Sequence, residues 1–223
     1  MIAWLLVPAT YLLGSVSFAW IAGRIKGIDI RKHGSGNLGA TNAGRVLGRQ
    51  WGFAVFVADV LKGLLPVLLA LWLVNTHGAS ASLPVTTAAA AILGHSFTCF
   101  HGFKGGKAVA TAIGVLTGLV YIVAAITFCT WVLTWAVAFS IFRLSPSAAV
   151  APASVMGALI TPFGHLYTYP QPWALLNLPL TIFIVLLSAL VFVRHRSNIQ
   201  RLFSGQTTPT PSEPTPSEPA AKG

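Results

Sequence analysis

The chain has 223 residues, 55% apolar and 8% charged, with a formal net charge of +10. A soluble domain carries roughly a quarter charged residues, so a water-facing globule is excluded and lipid must solvate most of the surface. Only Asp29 and Asp59 precede Glu213 and Glu218, which leaves the first 203 residues almost without acids.

The first apolar run, Ile2–Ala22, has no basic stretch before it and reads as a membrane helix rather than a cleaved signal. A basic, glycine-rich loop follows to about Gly52, then "FAVFVADVLKGLLPVLLALWLV" predicts a return span. Asp59 and Lys62 sit i, i+3 within it; buried charges in lipid pair or face a pocket, and a structural ion pair is expected. "NTHGASAS" connects to a short span in "LPVTTAAAAILGHSF", and "TCFHGFKGGK" forms a second basic loop. Ala108–Phe142 contains no charge and is too long for one crossing, so two short helices are predicted with a turn near Gly118–Tyr121. A sixth span covers Ala149–Ile160, extending toward Phe163, and a seventh covers Ala174–Val193. The expected fold is thus an all-α integral membrane bundle of about seven transmembrane helices, residues 1–203. Residues 204–223, repeating Thr-Pro-Ser-Glu-Pro, are expected to be a disordered tail with almost nothing apolar to bury.

With alternating crossings, thirteen of the fourteen Lys and Arg residues fall on one side; the exception is Lys62. The positive-inside rule puts that side in the cytoplasm, with the N-terminus periplasmic and the C-terminus cytoplasmic. The two cysteines, Cys99 and Cys129, have no metal or disulfide spacing.

Three polar segments converge on the cationic side. In "HGSGNLGATNAGRVLGR", Gly34, Gly36, Gly39 and Gly44 would let backbone amides approach a ligand, Ser35, Asn37, Thr41 and Asn42 add neutral donors, and Arg45 offers a phosphate-matching fork. The alternative is a flexible loop whose bases only enforce topology. In "GHSFTCFHGFKGGKAVAT" the nucleotide P-loop pattern fails: the spacing is one short and Ala108 replaces the hydroxyl. What survives is a glycine turn with Lys104 and Lys107 opening a helix, suited to an anion or to lipid headgroups. In "VRHRSNIQRLFSG", His195 and Asn198 are three apart and share a helix face if the last span continues; otherwise the segment reads as a juxtamembrane anchor. A Gly-x-Ser-x-Gly elbow and a His-x-x-x-x-Asp pair are both missing from this side, so a covalent mechanism lacks its usual parts. Cations, amides and small polar groups suit phosphorylated ligands and a developing oxyanion.

These three segments resemble the motifs of the bacterial acyl-phosphate:glycerol-3-phosphate acyltransferases, the PlsY family, in "GSGNLGATNAGR", "GHSFTCFHGFKGGKAVAT" and "RHRSNIQRLFSG". The resemblance spans nearly the whole chain and fails only at the tail. It implies a seven-helix inner-membrane enzyme with its active site facing the cytoplasm. Such an enzyme moves a fatty acyl group from acyl phosphate to the 1-hydroxyl of sn-glycerol 3-phosphate. The products are lysophosphatidic acid and phosphate, in the first acylation of phospholipid synthesis.

Carried over by motif, Ser35, Arg45 and Lys104 would grip phosphate, helped by the Gly105–Gly106 turn, while His195 and Asn198 would orient glycerol 3-phosphate. Gly36, Asn37, Thr41, Asn42, Lys107 and, through a looser match, Ser145 complete the expected substrate-binding set. The family mechanism implied is direct attack, with substrate phosphate assisting deprotonation. Acyl phosphate, glycerol 3-phosphate and membrane lipid are the expected partners. Neither metal, cofactor nor nucleic acid is expected, and a monomer suits the sequence, which leaves the oligomeric state open. Thr98 stands where relatives usually have proline, Ala108 where they have glycine, and Gln206–Thr207 where they reach a glutamate. The rival reading is a transporter of phosphorylated metabolites or lipids, which would place polar or broken-helix residues near the midplane. A lipid-binding scaffold is the third.

Overall fold

The computed structural model describes residues 2–203, and the predicted 204–223 tail lies outside them. Among the described residues the chain is helical, without a strand. After a short turn at Ile2–Leu5, the α-helices are α1 (Leu6–Ser15), α2 (Phe18–Ile25), α3 (Ala40–Leu47), α4 (Arg49–His77), α5 (Leu83–Ser96), α6 (Val109–Leu119), α7 (Tyr121–Ser140), α8 (Pro146–Thr168) and α9 (Leu178–Phe203). Five stretches are long and apolar enough to cross a membrane: α4, α7, α8, most of α9, and Leu83–His101 around α5. A sixth arises if the bent α1–α2 pair counts as one span.

The expected break in the uncharged run falls at Val120, but its two halves are unequal. α7 has 20 residues, whereas α6 has 11 and rises about 16 Å, roughly half the hydrocarbon thickness. α8 begins before and ends after its predicted limits, and α9 starts four residues late and runs through His195 and Asn198.

The first predicted helix is broken. α1 ends at Ser15, the axis bends 41°, and the Ser17 hydroxyl accepts from the Trp20 amide to start α2. A break inside lipid leaves carbonyls that need donors. Thr98 Oγ1 donates to the Ser15 carbonyl at 2.7 Å, and Lys62 Nζ donates to the Val16 carbonyl at 2.8 Å. The departure from proline at position 98 therefore supplies a donor that proline lacks. Thr98→Val is expected to lower stability by about 1–3 kcal/mol, the cost of orphaning a buried carbonyl. Equilibrium unfolding in mixed micelles would test this; an unchanged midpoint would remove Thr98 from the account.

Where the helices cross, small residues bring backbones together, as packing in lipid requires. A Cβ on Gly14 would lie 2.7 Å from the Ala91 carbonyl oxygen, and one on Gly63 2.6 Å from that of Thr111. Hydroxyls bridge the later helices: Thr127 to Thr161 at 2.9 Å between α7 and α8, and His165 Nε2 to Thr181 Oγ1 at 2.9 Å between α8 and α9. Val67, Val115, Leu116, Val123 and Ile184 fill the centre, while Leu65, Leu133 and Leu186 face outward, as lipid solvation demands.

The expected Asp59–Lys62 pair is present at 2.8 Å, each side chain 2% exposed. His95 Nδ1 of α5 approaches the same carboxylate at 3.7 Å and meets Thr111 Oγ1 of α6 at 3.1 Å. One buried polar cluster thus joins the α1–α2 break to α4, α5 and α6.

Candidate active site

The first polar segment is more ordered than its glycine content predicts. Residues 40–47 form α3, because Ala43 and Leu38 pack with Ala19, Ile30 and Val55 in a small core. Gly44 faces Gly52 of α4, and a Cβ on Gly52 would lie 2.6 Å from Gly44 Cα. Only Gly34 and Gly36 of the four glycines use positive φ, at 59° and 67°. A Cβ on Gly36 would lie 2.9 Å from the Arg31 carbonyl oxygen.

Asn42 is tied into the loop itself. Its side chain is buried and committed to the loop: Oδ1 accepts from the Ser35 amide at 2.8 Å, and Nδ2 donates to the Ile30 and His33 carbonyls. It holds Ser35 in place instead of presenting donors outward. Ser35 itself is exposed, and Gly36, Asn37, Thr41 and Arg45 are half-buried around it. Asp29, the loop's acid, is held by the Arg31 fork at 2.9 and 2.8 Å. Arg31 beside it pushes the Asp29 carboxyl well below the usual carboxylate range, making it a poor proton acceptor.

Gly105 and Gly106 are held in a similar way. Their amides donate to the Ser96 and His95 carbonyls at 3.1 and 3.0 Å. A Cβ on either residue would overlap His95. The turn is a tight strut against α5, required to be glycine by close approach. Lys104, just before it, is exposed and its ammonium has no protein partner among the described residues. Lys107, just after it, donates to Asn198 Oδ1 of α9. Ala108 then opens α6 in the left-handed region at φ 59°, which explains why a relative would place glycine there.

α9 continues past its expected end, so His195 and Asn198 share a face. His195 is 2% exposed, and its Nδ1 lies 2.8 Å from the Val191 carbonyl. A carbonyl only accepts, so Nδ1 carries a proton and Nε2 of the neutral ring is the acceptor. Arg194, which sequence reasoning treated only as a topology base, turns inward. Its guanidinium donates to the Gly105 carbonyl at 2.8 Å and to the Gly106 carbonyl at 2.8 and 3.2 Å. His95, to which the sequence assigns no role, fills the space beside Gly106.

The second and third segments therefore meet through Lys107–Asn198 and Arg194–Gly105–Gly106. The first joins them less directly, through Trp20 of α2, whose ring centroid lies 5.3 Å from that of His101. Ser145 caps α8 by accepting from the Ala148 amide at 3.3 Å, and α3 touches α8. Beneath this face an open cleft runs between α6, α7, α8 and α9, past Val109, Val191, Trp131 and Leu187 to Leu116 and Thr161. A cationic, glycine-lined polar face stands at the mouth of an apolar cleft.

A family model described as glycerol-3-phosphate acyltransferase matches residues 4–205. The glycerol-3-phosphate acyltransferase of Aquifex aeolicus is 38% identical over 201 residues, covering 90% of this chain and 95% of the relative. That of Pseudomonas paraeruginosa is 41% identical over 204 residues, covering 91% and 97%. Two crystal structures of PlsY (YgiH), an integral membrane glycerol 3-phosphate acyltransferase, are 36% identical over 93% of this chain and 94% of theirs. The glycerol 3-phosphate form has a TM-score of 0.74 and the lysophosphatidic acid form 0.71. On this agreement of sequence and fold along almost its whole length, the chain belongs to the glycerol-3-phosphate acyltransferase family.

Proposed function

We propose that the chain transfers a fatty acyl group from acyl phosphate to the 1-hydroxyl of sn-glycerol 3-phosphate. The observation that carries the reading is its likeness to a protein solved with glycerol 3-phosphate in one form and lysophosphatidic acid in another. Those two ligands are the acceptor and the product of one acyl transfer. The hydroxyl oxygen forms an ester bond to the acyl carbon, the carbon–oxygen bond to phosphate breaks, and the hydroxyl proton leaves with phosphate. Asp29 is poorly suited to take that proton, which favours substrate phosphate for the role.

Lys104, Arg45 and Ser35 hold phosphate in this reading. His195 Nε2 accepts from an acceptor hydroxyl, and Asn198, steadied by Lys107, orients the same molecule. Gly36, Asn37 and Thr41 line its first wall and Ser145 its rim. The acyl chain lies in the apolar cleft while its phosphate reaches the cationic face, so the substrate's two ends match the two environments. Counting the bent pair as one unit and α6 as a short crossing makes seven, with the cationic loops in the cytoplasm, the N-terminus periplasmic and the protein in the inner membrane.

Purified protein in bilayers with palmitoyl phosphate, radiolabelled glycerol 3-phosphate and no divalent metal is expected to yield labelled lysophosphatidic acid and equimolar phosphate. Absence of product, together with labelled glycerol 3-phosphate crossing sealed vesicles, would replace this reading with transport.

A further inference from the structure

Arg194 spends its charge in an unusual place. It is a half-buried cation beside the face assigned to phosphate, yet its fork points at two consecutive backbone carbonyls. Arginine fits this task because its planar donors reach two acceptors at once, which a lysine ammonium does less well. The Phe97 ring, 5.6 Å from the guanidinium, supports it from the side. An anchor for anionic lipid would turn outward to the headgroups, as the exposed Arg196 does.

The turn gripped by Arg194 is already fixed from below. Its two amides bond to the His95 and Ser96 carbonyls, and the His95 ring fills the space where a Gly106 side chain would go. His95 is in turn seated on Thr111 and beside Asp59. Gly105–Gly106 is therefore held between α5 and α9, with Lys104 at one end and Lys107 at the other. Arg194 also immediately precedes His195 on α9, and Asn198 one turn later meets Lys107.

We propose that Arg194 is a positioning residue: by clamping the Gly105–Gly106 turn to α9, it sets Lys104 and Lys107 at a defined distance from His195 and Asn198. The proposal rests on the acyltransferase reading for its kinetic consequence, and on the clamp geometry for its structural one. Misplacing reacting or binding groups by about 1 Å costs on the order of 100-fold in rate, so the clamp matters without touching substrate.

The test compares full-length wild type, Arg194→Gln, Arg194→Lys and Arg196→Gln in bilayers. Three quantities are measured: kcat and KM for glycerol 3-phosphate with palmitoyl phosphate, the unfolding midpoint, and amide exchange of Gly105 and Gly106. Arg194→Gln is expected to lower kcat/KM about 100-fold and to speed exchange at the two glycines, with a lowered midpoint but a protein still folded under assay conditions, and Arg196→Gln like wild type. Arg194→Lys, keeping charge but not the fork, should fall between. Wild-type kcat/KM in Arg194→Gln, or a loss without faster exchange at the turn, overturns the proposal. If Arg194→Gln does not fold, Arg194→Lys is judged by the same two readouts. If wild type itself makes no product, the acyltransferase reading fails, and the exchange measurement alone decides the clamp.

Discussion

Lys104→Ala is expected to cut turnover by about 10²–10³-fold, the range seen when one preorganised donor to a developing negative charge is removed, and to leave the bundle folded. Lys104 is exposed and contributes no packing, so its loss exposes no cavity and orphans no partner among the described residues. What disappears is a compact positive charge at the end of a rigid strut. Arg45→Ala should have an effect of similar size, because Arg45 brings its fork from α3 on the other wall. Lys104→Arg should keep part of the activity, since it keeps charge but changes geometry. Initial rates with palmitoyl phosphate, paired with an unfolding curve for each variant, separate chemistry from folding. Wild-type turnover by either alanine variant would overturn the phosphate-grip assignment.

The largest expected effect on stability comes from Asp59→Ala, which should cost about 3–5 kcal/mol, as breaking one half of a buried ion pair does. Lys62 would be left charged and buried, with the Val16 carbonyl as its remaining hydrogen-bond partner. Replacing both charges, Asp59→Leu with Lys62→Met, removes the stranded ion and should recover most of the loss. It would not recover all, because Val16 at the α1–α2 break still loses its donor, at about 1–3 kcal/mol. Unfolding in mixed micelles reads both variants. An Asp59→Ala protein with the wild-type midpoint would show that the pair does not hold the break.

The places where sequence reasoning succeeded share one feature: the information was local. The missing charge in residues 108–142 set a length that one crossing cannot use, and the chain breaks at Val120 within the expected turn. The i, i+3 spacing of Asp59 and Lys62 forced two buried ions together. The same spacing puts His195 and Asn198 on one face once α9 extends that far. What sequence reasoning could not reach was non-local. The three backbone partners of Asn42 lie seven to twelve residues away, around a turn invisible in the string. Residues 40–47 looked like a loop because glycine and asparagine are poor helix formers, yet packing of Ala43 against the small core overrides that preference.

Composition and periodicity thus determined by themselves that this is a helical membrane protein with its cations gathered at polar, glycine-rich segments. Local spacing determined which residues could share a face, because hydropathy and helical repeat act over a few turns. Only the tertiary structure decided that Gly105 and Gly106 spend their amides on α5, that Arg194 turns inward to grip their carbonyls, and that Thr98 and Lys62 serve the break after Ser15. The reason is physical: wherever water is excluded every backbone donor and acceptor must find a partner, and which one it finds depends on chain segments up to 89 residues apart.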